Sequence, residues 1–109
     1  MDIDGDSERT ADAAFEAKVL RAFLRDGRLV SIPAQHKKRQ VILRWVAVTC
    51  FAEDRDYPEK EVNMRLALIH PDVAALRRYL VIAGLMTRAA GQYRPVPRTQ
   101  RPEPGSESS

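Results

Sequence analysis

The sequence predicts a mainly α-helical α+β fold, a winged helix-turn-helix. Three observations carry that reading. Apolar residues recur every three or four positions in several segments. Two of the helical segments are joined by the short turn His70-Pro71-Asp72. Two strand-like runs then flank Gly91 near the end of the patterned region. A chain of 109 residues fits one core better than two.

Each element has its own signal. Residues 1–11 are polar and acidic and predict a disordered leader. In "ADAAFEAKVLRAFLRDG" Phe15, Val19 and Phe23, with Leu20 and Leu24, mark a helix that Gly27 would stop. "RLVSIP" reads as a short strand closed by Pro33. The next run, "HKKRQVILRWVAVTCF", has strand propensity but the length of a buried helix, and the length favours helix. In "EDRDYPEKEVNMRLALI" Pro58 suits the first helical position and Glu59 and Glu61 its first turn. Val62, Leu66 and Ile69 form its stripe. Pro71 starts the following helix, whose buried face is Val73, Leu76, Leu80 and Ala83. Gly84 fits the left-handed position beyond its end. "LMTRAAGQYR" makes the closing hairpin. The domain is thus expected over 12–94. Residues 95–109, rich in Pro, Ser and charge, form a disordered tail.

Composition narrows the function classes. One cysteine, Cys50, allows no intrachain disulfide and fits a reducing cytoplasm. The acidic start lacks the pattern of a signal peptide, and no apolar run is long enough to span a membrane. Net charge is +3, unevenly spread. Residues 1–16 hold six acids against one arginine, a net of −5, and 17–109 hold 17 basic and 9 acidic residues, a net of +8. A basic body suits an anionic partner, nucleic acid first.

Three stretches, "FLRDGRLVSIPAQHKKRQVIL", "YPEKEVNMRL" and "DVAALRRYLVIAGLMTRAAGQYR", together resemble the bacterial family called domain of unknown function 2087. The resemblance covers roughly Phe23 to Arg94. Pro58 departs from its pattern, where Thr or Ser is expected. The family occurs in small proteins and attached to transcriptional regulators. The resemblance therefore implies a winged helix and a link to transcription, and assigns no binding or catalytic residue.

The candidate site residues come from the pattern itself. Lys37, Lys38 and Arg39 open a helix, where cations oppose the macrodipole, so the cluster suggests phosphate contact against an ordinary solvated turn. With 100° per residue, Arg78 falls opposite the stripe of the helix after Pro71, beside Ala75 and Ile82. Arg78 and Ala75 would meet the major groove. Arg77 falls on the flank, within reach of Glu59 or Glu61. Arg88 and Arg94 flank the wing and would reach phosphate or the minor groove. Tyr79, Val81 and Ile82 lie outside the stripe, so the first helix or a second subunit would cover them. His36, His70 and Cys50 have no metal-ligand spacing, and no nucleophile, phosphate-loop or dinucleotide motif occurs. The expectation is a cytoplasmic, non-enzymatic protein without metal or cofactor. It would bind duplex DNA in transcriptional control, with a homodimer as one option. The alternative is a protein-interaction module that does not bind DNA and uses Val81 and Ile82.

Overall fold

Two tight turns show how the sequence sets the backbone. Asp26 and Gly27, with φ of 54° and 77°, link β1 (Leu24–Arg25) to β2 (Arg28–Leu29). Ala90 and Gly91, at 52° and 76°, link β4 (Met86–Ala89) to β5 (Gln92–Pro95). Positive φ at both central residues gives the mirror-image turn whose twist matches paired strands. The computed structural model describes residues 3–97, with side chains from residue 12 onward.

The protein is mainly helical α+β, with α1 (Ile3–Phe23), α2 (His36–Cys50), α3 (Glu59–Ala67) and α4 (Val73–Ile82). It divides into two compact units, the first ending at Ile42 and the second beginning at Leu43, so α2 runs from one into the other.

In the first unit, helical backbone is present from Ile3, upstream of the boundary at residue 12 suggested by the apolar spacing. That run, Ile-Asp-Gly-Asp-Ser-Glu-Arg-Thr-Ala, holds several poor helix formers, and neither propensity nor an apolar stripe marks it as helix. The helix ends at Phe23 and not at Gly27. Gly27 instead takes the second turn position of the β1–β2 hairpin, with Leu24 opposite Leu29 and Arg25 opposite Arg28. The Val30 amide closes it by donating to the Phe23 carbonyl at 2.8 Å. Val19, Leu29, Val41 and Ile42 are buried in this unit.

The second unit begins within α2. The long apolar run is helix, as its length argued, and Leu43, Val46, Ala47 and Cys50 are buried at helical spacing. Its core continues through Phe51, Tyr57, Val62, Leu66, Leu76, Leu80 and Met86, all nearly inaccessible.

A short strand that the sequence pattern did not suggest, β3 (Tyr57–Pro58), pairs with β5, placing Tyr57 opposite Tyr93 and Pro58 opposite Gln92. The sheet order is β3-β5-β4. Pro58 therefore sits on an edge strand, where a missing amide hydrogen is tolerated. It is the extended residue before α3, at φ −60° and ψ 148°, not the first helical residue. The Glu59 amide donates to the Gly91 carbonyl at 3.0 Å, tying the start of α3 to the wing turn.

Asp72, not Pro71, starts α4. Its carboxylate accepts from the Ala75 amide at 3.2 Å, a standard N-terminal cap. At the other end Gly84 takes φ 77° as expected. The Gly84 amide donates to the Val81 carbonyl and the Leu85 amide to the Leu80 carbonyl, both at 3.0 Å, which is a Schellman ending. The order α2–β3–α3–α4–β4–β5 with this strand pairing is compatible with a winged helix-turn-helix.

A polar cluster fixes the segment before α3. The Arg55 guanidinium stacks 3.8 Å from the Tyr57 ring centroid and pairs with Glu61 at 2.7 Å and Glu53 at 2.9 Å. Arg65 reaches Glu61 at 2.8 Å and donates to the Cys50 carbonyl at 3.0 Å. The Tyr57 ring meets Phe51 edge to face at 5.0 Å.

Candidate nucleic-acid interface

The sequence-predicted site residues divide between the units. Lys37, Lys38 and Arg39 lie in the first turn of α2, within the first unit. Lys37 is exposed, with its ammonium 4.8 Å from the Phe15 ring centroid. Lys38 is half-buried. Arg39 has an internal task, since its Nη1 donates to the Ala34 carbonyl at 2.8 Å and the Pro33 carbonyl at 3.3 Å. Those bonds clamp the chain that enters α2.

In the second unit the helix arithmetic for α4 holds for Leu76, Leu80 and Arg78, whereas Val73 and Ala83 of the expected stripe are only half-buried. Leu76 and Leu80 are fully buried, and Arg78 on the far side is exposed. Ala75 is half-buried, and Ala74 and Ile82 are exposed. The Arg78 guanidinium lies 5.9 Å from the Tyr79 ring centroid. Among the described residues no carboxylate pairs with it.

Arg77 does reach α3, but not through a carboxylate. Its Nη1 donates to the side-chain oxygen of Asn63. Both glutamates suggested by the sequence are engaged elsewhere. Glu61 holds Arg55 and Arg65, and Glu59 meets Arg88 at 3.5 Å and accepts from the Tyr93 hydroxyl at 3.4 Å. The Arg77 Nε is buried with no hydrogen-bond partner.

The wing arginines are likewise held by acids. Arg94 pairs with Asp54 at 3.2 Å and with Asp56 at 3.3 Å. Arg88 is paired to Glu59 and lies 5.7 Å from the Tyr93 ring centroid. Register separates them further. Arg88 is opposite Tyr93 and Arg94 opposite Thr87, so the two arginines project from opposite faces of the hairpin.

Sequence reasoning missed these acids and Asn63, because they meet their arginines only through tertiary structure. The Glu61–Arg65 pair alone was within reach, at i and i+4 along α3. Its carboxyl is held below the ordinary range, first by the hydrogen bond from Arg55 and then by that from Arg65.

Cys50 is buried, and burial pushes its thiol up to about 11, against a smaller lowering by Arg65. A thiol held protonated is a poor nucleophile. Among the described residues no three His, Cys, Asp or Glu side chains are arranged to hold a metal ion, and no helix is long and apolar enough to cross a membrane.

Fold and site define a class: a small helical α+β domain whose α4 carries on its outer face an exposed arginine, Arg78, with no acid partner among the described residues. Residues 28–95 match the model of a family described as uncharacterised proteins conserved in bacteria, DUF2087, and the chain belongs to that family. No curated protein and no solved structure matches it.

Proposed function

We propose that the protein binds duplex DNA through the outer face of α4 and acts in transcriptional control in the bacterial cytoplasm. The single observation that supports this most is Arg78. It stands exposed on the side of α4 opposite Leu76 and Leu80, with no acid partner among the described residues. An unpaired cation on an outward helix face suits a groove of negative potential. In this reading α4 carries Ala75 and Arg78 into the major groove. Lys37 and Lys38 add phosphate contacts that carry no sequence information. Arg39 serves the α2 entry first, and Arg88 and Arg94 serve the wing first, contributing to DNA only where an acid releases them. The reading needs no cofactor, metal or catalysis. A homodimer would place two α4 helices on two half-sites.

A second reading has its own support. Met64, Leu68 and Ile82 are large apolar side chains that are 62%, 73% and 71% exposed. A protein-interaction module would use them, Ile82 and the half-buried Val81 among them. The experiment that separates the two is a titration of the full chain with duplex DNA at several salt concentrations, with the mass of the free protein measured alongside. DNA binding through phosphates weakens steeply as salt rises, and an apolar protein contact does not.

A further inference from the structure

The outer face of α4 has a narrow chemical vocabulary. Ala74, Arg78 and Ile82 follow one another at four-residue spacing, and all three are exposed. Ala75 lies beside the first two, half-buried. No Asn, Gln, Asp or Glu occurs anywhere between Val73 and Ile82. Asp72, just before the helix, serves as its N-terminal cap and accepts from the Ala75 amide. Adenine is read in the major groove by a bidentate amide and cytosine by a carboxylate, so this face can do neither. It offers one bidentate donor, suited to guanine O6 and N7. It also offers methyl groups, suited to the thymine 5-methyl. We infer that α4 recognises a guanine with a thymine methyl close by, Arg78 taking the guanine and the methyl of Ala74 or the side chain of Ile82 taking the thymine.

Helix geometry sets the spacing. Ala74 and Arg78 are separated by about 6 Å along the axis, at 1.5 Å per residue. That is roughly two base-pair steps of 3.4 Å. The guanine and thymine should therefore lie within about two base pairs of each other. Apolar contacts on both sides of Arg78 leave no polar side chain to tolerate a mismatched donor or acceptor beside it. This inference rests on the proposal that the protein binds duplex DNA through α4.

The test starts from a random-sequence duplex pool selected on the full chain. The enriched duplex is then titrated in three forms: unmodified, with deoxyuridine in place of each thymine in turn, and with 7-deazaguanine in place of each guanine. A guanine and a thymine should recur within two base pairs of each other. One deoxyuridine should weaken binding about 4-fold, the worth of one buried methyl. One 7-deazaguanine should weaken it about 5-fold or more, and Arg78→Ala should remove that difference. Ala74→Gly and Ile82→Ala, each checked for folding by circular dichroism, should identify the methyl contact. One of them should bind the thymine and deoxyuridine duplexes alike. Enriched sites without this pair, or affinities indifferent to both base changes, would overturn the inference while leaving DNA binding intact. Absence of binding to any duplex at low salt would instead remove the DNA-binding proposal, and the inference with it.

Discussion

Arg77 and Asn63 join α4 to α3 side chain to side chain, the guanidinium Nη1 donating to the amide oxygen. The next residue along, Arg78, takes no part in that junction and faces outward. Two adjacent arginines thus do different work because one helical step turns them by about 100°.

Their alanine variants should differ accordingly. Arg77→Ala should cost roughly 1 kcal/mol of stability, since a half-buried hydrogen bond and its packing are lost. Arg78→Ala should change stability by less than about 0.5 kcal/mol, as exposed positions do. Paired denaturant melts decide it. A larger loss in Arg78→Ala would mean that the outer face of α4 is packed and not free.

Acid should loosen the cluster on Tyr57. Arg55 and Arg65 hold the Glu61 carboxyl below its ordinary range. Its contribution to stability is therefore present above the ordinary carboxyl pKa and is lost as pH falls through the depressed folded value. Glu61→Gln carries no such charge. It should be less stable than the parent at neutral pH, and the gap should close as pH drops below about 4.3, the unperturbed glutamate value. A gap that stays constant with pH would show that the pairing contributes nothing.

Alkali should act on Cys50 in the opposite direction. Its folded pKa is raised to about 11 by burial. The stability this group contributes is complete below the unfolded value of about 8.5 and is lost as pH rises through the folded value. The parent should therefore lose up to about 3 kcal/mol more than Cys50→Val between pH 8.5 and 11. In the same protein a thiol reagent at neutral pH should label Cys50 only after unfolding. Rapid native labelling would contradict its burial.

The wing turn leaves room for improvement. Ala90 holds φ 52°, a left-handed position that costs a residue with a Cβ about 1 kcal/mol. Asn accepts that conformation more readily, and Asn-Gly is the preferred pair for this turn. Ala90→Asn should raise stability by about 0.5 kcal/mol. Gly91→Ala should lower it by about 1 kcal/mol, although an added Cβ would meet open space, because φ 76° is the obstacle. Thermal melts of both variants would check the pair of signs.

These outcomes also show where sequence was legible. The helices over 36–50, 59–67 and 73–82 follow from length, stripe and turn residues, and each of those is a local signal. The Gly91 hairpin follows from its turn chemistry in the same way. The Asp26-Gly27 hairpin carried an equally local signal, but the apolar run before it, including Leu24, read as continued helix. β3 was hidden because two residues, one of them Pro58, have no periodicity, and only β5 makes them a strand. The outward position of Arg78 followed from helical angle alone. The partners of Arg77, Arg88 and Arg94 did not, because Asn63, Glu59, Asp54 and Asp56 reach them only after α3, α4 and the sheet have packed. The family resemblance located the domain and left these pairings unassigned.

In the proposed mode of binding Arg78, and not the acid-paired Arg94, carries DNA recognition. The direct measurement is the affinity of the parent, Arg78→Ala and Arg94→Ala for one selected duplex, titrated at several salt concentrations. Log affinity should fall linearly with log salt for all three. Arg78→Ala should lose about 1–3 kcal/mol of binding, roughly 5- to 150-fold, while Arg94→Ala should stay within a few-fold of the parent. Parent-like binding by Arg78→Ala, or no binding by the parent even at low salt, would contradict this mode of binding.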